Sequence, residues 1–275
     1  MFTYSEQGRP MNLQRPGISA LIISRNEERH IERCLSSLIW ANEILVVDAL
    51  STDQTKAKCL RSDAPWASKL RFIENKWEGF RKQRNLSLDS ATHDWVLVVD
   101  ADEACSPELA ERIQSLLSAT PDGPPFKAYK VHRAEYFLGK PIRYGIWNPS
   151  YQDRFFHRQG VRYINEIHEY PNFPSDPGRI HEPLLHSPEF NIEKFLDKMN
   201  RYTSIEARDR ILQGKRTNIV HLLGSFPAMF LKNYFYYSSW RDGWHGLIIS
   251  LLEGVSRVVR HIKMWNIQTH PEKHR

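Results

Sequence analysis

Apolar residues fall along this chain in two rhythms. Unbroken runs come first, at Ile18–Ser24, Glu43–Asp48 and Trp95–Asp100, and the last two end on an aspartate. Runs of that kind, without polar alternation, read as strands buried on both faces. Between them the period lengthens. Ile31, Leu35, Leu38 and Ile39 keep helical spacing. The capping types Ser51, Thr52 and Asp53 precede a helix expected through about Leu60, and another is expected over residues 80–88. Residues 70–73 make a shorter strand. Strand and helix alternating at this pace predict βαβ units and an α/β domain with a mostly parallel central sheet.

After a helix over residues 107–117 the texture changes. Residues 128–133 and 151–156 read as further strands, with 139–149 between them. Residues 160–190 are irregular and rich in Pro, His and aromatics, the texture of site-forming loop. From Ile192 onward helices are expected, with Val255, Val258, Val259 and Ile262 on one face and Arg257, Arg260 and Lys263 on another. The pattern predicts a polar leader over 1–17, an α/β domain over 18–190 and a helical region over 191–275.

Residues 218–231 are uncharged, but Pro227 interrupts them and they are too short to span a bilayer. The aromatics Tyr234, Phe235, Tyr236, Tyr237 and Trp240, mixed with Lys232 and Arg241, suit an interfacial position on an anionic membrane. A helical subdomain or a homo-oligomer contact fits the same pattern.

Composition narrows the partners. The 275 residues carry a formal charge of +6 and a pI near 9.2, which favours anionic ligands. The cations are scattered rather than tracked, which argues against nucleic acid. Cys34, Cys59 and Cys105 are odd in number and show no paired spacing, which argues against a disulfide framework and a cysteine zinc site and fits a reducing cytoplasm. Residues 1–16 hold no apolar core of signal-peptide length. No Gly-x-Gly-x-x-Gly follows the first strand, which speaks against a dehydrogenase-type dinucleotide site and against a nucleotidyltransferase.

The candidate chemistry centres on Asp100-Ala101-Asp102-Glu103. Charges that resist burial are expected to emerge at the carboxyl end of a strand, where open α/β sheets bind ligands. Asp100 and Asp102 are two apart, so an extended chain sends both to one side. Two hard oxygen ligands suit a magnesium or manganese ion that also holds a diphosphate. The bland alternative is a solvated acidic turn before the helix at Pro107.

Several segments then agree. Ile-Ser-Arg-Asn-Glu-Glu at 23–28, Glu-Ile-Leu-Val-Val-Asp at 43–48 and Ser-Thr-Asp at 51–53 resemble family 2 glycosyltransferases. So do Gly-Phe-Arg-Lys-Gln-Arg-Asn at 79–85 and Asp-Trp-Val-Leu-Val-Val-Asp-Ala-Asp-Glu at 94–103. The spacing is most similar to the branch of lipopolysaccharide core β-1,4-glucosyltransferases. That branch also shows Trp147-Asn148-Pro149 with Arg154, the pair His168-Glu169, Leu185-His186 and an amphipathic helical tail. One departure lies after the second strand, where Leu50 stands in place of a customary glycine.

The resemblance implies a GT-A type nucleotide-sugar-binding fold ending in an amphipathic helical tail, and the residue pattern above makes that C-terminal region a candidate for membrane association or an oligomer contact. It implies inverting transfer of a hexose, glucose first, from a UDP-sugar to a lipid-linked saccharide such as inner-core heptose. It implies Asp102, Asp100 and His186 around Mg or Mn, Glu27 and Asn26 near the ribose, and Asp48 on the base. Lys82, Arg84 and Arg154 are assigned to the diphosphate or sugar, and Glu169 to the base role, with Glu166 and then Asp153 behind it. The implied place is cytoplasmic, peripheral on the inner face of the cytoplasmic membrane. The same chemistry on a polyprenyl-linked glycan, a capsule precursor or a peptide is an alternative. A silent nucleotide-sugar-binding scaffold is another, against which the intact acids at 48, 100, 102 and 169 speak.

Overall fold

A computed structural model describes residues 16–119, 123–165, 169–186 and 192–270. The predicted rhythm builds the first half: β1 (Ile18–Ser24), α1 (Ile31–Ser36), β2 (Glu43–Asp48), α2 (Thr55–Cys59), β3 (Leu70–Glu74), α3 (Phe80–Ser90) and β4 (Trp95–Asp100). Every residue of β1 and β2 is buried, as the unbroken apolar runs require. Burying each Val, Leu or Ile side chain is worth about 1.5–3 kcal/mol, so these strands anchor the core. β1 lies between β2 and β4, parallel to both, and β3 extends the sheet beyond β2.

β5 (Glu103–Cys105) and α4 (Pro107–Ser118) follow. α4 starts with a proline at its head and with Ser106 Oγ accepting from Leu109 N at 3.1 Å. Then come β6 (Ala128–Phe137), β7 (Lys140–Pro141), β8 (Ser150–His157), β9 (Tyr163–Ile164), β10 (Tyr170–Pro171) and β11 (Gly178–His186). The sheet runs β3-β2-β1-β4-β8-β6-β11-β5, with β7 on β6, while β9 and β10 form a separate pair. β8 is antiparallel to β4, and β5 is antiparallel to β11. The sheet is therefore parallel in its first half and mixed overall, where a mostly parallel sheet was expected.

Residues 160–190 depart from the loop reading. Nine of them form β11, with Ile180 and Leu184 buried. Pro183 hid that strand in the sequence, because a proline removes a ladder donor. Here only its carbonyl is used, accepting from Ser106 N at 3.3 Å.

The helices after β11 are α5 (Ile192–Leu212), α6 (Ile219–Leu231) and α7 (Trp244–Thr269). A π-helical turn, Lys232–Tyr236, and a 3₁₀ turn, Ser239–Asp242, join α6 to α7. The chain divides into two compact units, Met1–Arg133 with Tyr151–His186, and Ala134–Ser150 with Ser187–Arg275. The second unit thus takes in Ala134–Ser150, which the sequence reading gave to the α/β domain. Phe137, Ile142 and Ile249 form its small core, and Asn233 and Asp242 hold the 143–146 loop. No helix among the described residues is long and apolar enough to cross a membrane.

Candidate active site

The parallel strands end in register. Ser24 of β1 pairs with Asp48 of β2, and Ile23 pairs with Asp100 of β4. The loops that leave these ends carry the polar residues, as a crevice at strand carboxyl ends demands.

The loops after β1 and β2 are laced together. Asn26 N donates to Ser51 Oγ at 2.8 Å, and Asn26 Oδ1 accepts from Thr52 N at 2.8 Å. Glu27 N donates to Thr55 Oγ1 at 2.8 Å, Glu28 N to Asp53 Oδ2 at 3.1 Å, and Gln54 N to Glu28 Oε2 at 3.0 Å. Both loops turn through the left-handed region, at Asn26 (φ 56°) and Leu50 (φ 55°). Asparagine tolerates that conformation, but a branched leucine does so at a cost. Leu50 is the position where the resembling family carries glycine, and the structure shows why a glycine belongs there.

Asp48 is fully buried. Its Oδ1 accepts from Ser24 Oγ at 2.7 Å and Ser51 Oγ at 2.6 Å, and its Oδ2 accepts from Ser51 N at 2.7 Å. Glu27, half-buried, bonds His30 Nδ1 through Oε2 at 2.9 Å.

The acidic stretch differs most from its sequence reading. β4 stops at Asp100 and the chain turns at Ala101 and Asp102, so Asp100 and Asp102 do not share a side by strand alternation. Asp100 is not a free ligand: Arg84 binds its Oδ1 and Arg154 its Oδ2. Arg84, expected on phosphate, and Arg154, expected on the diphosphate or the sugar, are each 6% exposed and bind this carboxylate instead. Burial pushes the Asp100 carboxyl up, but the Arg154 and Arg84 charges outweigh it and hold it well below the usual range.

Glu103 was expected to emerge with the other acids and is instead fully buried. It accepts from Asp100 N at 3.0 Å and Arg154 Nη2 at 2.8 Å, with Arg133 Nη1 at 3.7 Å. Burial raises its carboxyl above the ordinary range despite Arg154. It is a positioning residue that the sequence reading missed.

Asp102 keeps a partly exposed carboxylate, 29% accessible. The antiparallel register of β5 and β11 sets His186 opposite Glu103, and His186 Nε2 comes to 3.2 Å from Asp102 Oδ2. Burial raises the Asp102 carboxyl, and the His186 hydrogen bond and charge overcome this and lower it. From α1, Arg33 Nη2 donates to Asp102 O. Asp102 and His186 offer a hard oxygen and an imidazole nitrogen, a donor set that fits magnesium or manganese when diphosphate and water complete the shell. Among the described residues no three His, Cys, Asp or Glu side chains gather as a metal cage.

Lys82 stays on an exposed helix face beside Glu78, 3.3 Å away. Asp153 pairs with Lys130 at 2.9 Å. Glu169 is half-buried just ahead of β10. Its strand pairs with β9, where Tyr163 N donates to Asn85 Oδ1 at 2.9 Å and Tyr163 O accepts from Asn85 Nδ2 at 3.0 Å. Asn85, quoted only as part of a motif, helps tie this pair of strands to α3, beside the Arg162–Asp89 ion pair at 2.8 Å. Glu166 and His168 lie outside the described residues.

Residues 19–173 match the family described as glycosyl transferase family 2. The lipopolysaccharide core biosynthesis glycosyltransferase LpsC of Rhizobium meliloti is 29% identical over 256 residues, 90% of this chain and 92% of that protein. An uncharacterized glycosyltransferase of Rickettsia felis is 28% identical over 268 residues, 90% of this chain and 89% of its own length. Among solved structures, the mannosyltransferase PcManGT from Pyrobaculum calidifontis in complex with GDP-Man and Mn2+ is 14% identical at a TM-score of 0.49, covering 91% of this chain and 87% of that one. The architecture is GT-A-like, an α/β fold with a mixed central sheet followed by helices. The family match spans more than half of the residues, and the chain belongs to glycosyl transferase family 2.

Proposed function

We propose that the chain moves a hexose, glucose in the first instance, from a UDP-sugar to a lipid-linked saccharide of the lipopolysaccharide inner core, with inversion at the anomeric carbon. The observation that carries this reading is Asp102, a partly exposed carboxylate beside His186 at the carboxyl end of a parallel sheet. The role of the Rhizobium relative in lipopolysaccharide core biosynthesis supports the acceptor class. A nucleotide sugar and a lipid-linked acceptor meet on the cytoplasmic side of the inner membrane, and we assign the enzyme to that place.

In this reading Asp102 and His186 hold the divalent ion, and the chemistry such an ion supplies is neutralisation of charge on the departing diphosphate. Asn26 and Glu27 shape the ribose end, Asp48 the base end, and Lys82 adds positive charge on α3. Asp100 acts through Arg84 and Arg154, fixing the turn that carries Asp102. Glu169 takes the proton of the acceptor hydroxyl as its oxygen bonds to the anomeric carbon. The bond from that carbon to the phosphate oxygen breaks on the far side, UDP leaves, and the configuration inverts.

The test is incubation with UDP-glucose, UDP-galactose and GDP-mannose, each with manganese and a deacylated inner-core oligosaccharide. Mass spectrometry and proton NMR read the product. The expected product is one hexose heavier with a β linkage from UDP-glucose. A retained α linkage, or no transfer from any UDP-sugar, overturns the reading.

A further inference from the structure

The second unit carries a surface that the chemistry above leaves unused. Val220, Leu223, Pro227 and Leu231 recur at helical spacing along one exposed stripe of α6. Val220 and Leu223 are 72% and 71% exposed. No residue of Ile219–Leu231 is an acid, a lysine or an arginine. The opposite side of α6 is already committed, for Met229 is buried and the Phe226 ring lies against Gly254 of α7. The stripe continues into the π-helical turn, where Phe235 and Tyr236 are exposed, and on to Trp240 and Trp244. A shallow hollow of about 840 Å³ opens there between Leu231, Lys232, Phe235, Tyr236 and Tyr237.

The exposed charge on this stretch has one sign. Between Gln213 and Leu252 the strongly ionised residues are Lys215, Arg216, Lys232, Arg241 and Asp242. All four cations are exposed. Asp242 is 2% exposed, and its Oδ2 accepts from Arg143 N at 3.1 Å and Tyr144 N at 2.9 Å. Two of the cations sit over aromatic rings, Arg241 over Tyr144 at 4.3 Å and Lys232 over Tyr237 at 5.6 Å. A second copy seated on this face brings cation against cation, which disfavours self-association. An anionic lipid surface offers the opposite charge together with an apolar layer for the stripe.

We propose that this face docks the protein on an anionic lipid bilayer. The α6 stripe and Phe235, Tyr236 and Trp240 enter the interfacial layer, and Lys232 and Arg241 meet the head groups. This inference deepens the membrane placement proposed above by naming the face that docks, and it does not depend on which donor or acceptor is used.

The experiment is co-sedimentation of the full chain with vesicles of pure phosphatidylcholine or of phosphatidylcholine with phosphatidylglycerol, at low and high salt. The wild type is expected to pellet with the anionic vesicles at low salt and to be released by high salt. Leu223→Glu with Tyr236→Glu changes two outward-facing side chains and is expected to keep the protein in the supernatant with an unchanged thermal melt. Lys232→Glu with Arg241→Glu is expected to lower the partition about tenfold or more, and it decides the matter if the first variant melts early. Wild type in the supernatant with both vesicle types overturns the proposal. So does equal binding to neutral and anionic vesicles, or variants that pellet like the wild type. A wild-type dimer in sedimentation without vesicles, turned monomeric by the Leu223 and Tyr236 changes, also overturns it. Donor hydrolysis measured on the same samples reads the transfer chemistry separately.

Discussion

Nε2 of His186 lies 3.2 Å from Oδ2 of Asp102, although the two residues stand 84 positions apart. The register of β11 on β5 makes the meeting, and Leu184 and Ile180 buried beneath it keep the strand in place. The proposed function gives this pair the divalent ion, and substitutions at the two positions test that assignment. Asp102→Asn is expected to lower kcat about 10²–10³-fold and to abolish stimulation by manganese, while His186→Ala lowers manganese affinity more than kcat. Steady-state kinetics across a manganese titration check both.

Asp100 is clamped between two arginines that have almost no access to water. Asp100→Asn leaves both guanidinium groups short of a partner and is expected to cost about 3 kcal/mol at neutral pH. The folded carboxyl is depressed, so its stabilising contribution is complete above the unfolded value of about 3.9 and is lost as pH falls below it. The gap between wild type and variant in urea unfolding therefore starts to narrow below about pH 4 and goes on narrowing as the pH falls further.

Leu50 holds a left-handed backbone with half its side chain in solvent. Leu50→Gly relieves that strain and loses little burial, a gain of about 1 kcal/mol. A rise in Tm of about 2 °C is the expected reading.

Gly246 at the start of α7 has the Ser239 carbonyl where a methyl group would be. Gly246→Ala is expected to destabilise the second unit by about 3 kcal/mol through overpacking. Chemical denaturation followed by tryptophan fluorescence measures it, since Trp240 and Trp244 flank the contact.

Glu169→Gln is expected to remove transfer by about 10²–10⁴-fold while leaving the Kd for UDP within about twofold. Calorimetry for UDP beside a transfer assay separates the two effects.

The strands β1, β2 and β4 were legible because burial on both faces leaves an unbroken apolar run. β11 was not, since Pro183 and the polar residues around it break every simple period. The candidate site was legible as a cluster of acids at one strand end. Its division of labour was not. Which acid is buried against Arg154, which is clamped by Arg84 and which stays open to a ligand depends on pairings 16 to 54 residues apart, and local spacing carries no trace of them.

The most direct measurement is calorimetric titration of UDP into wild type and Asp102→Asn, each with and without manganese. The account predicts at least about tenfold tighter UDP binding with manganese for the wild type and no change for the variant. UDP bound equally well without manganese, or an enhancement kept by Asp102→Asn, contradicts it.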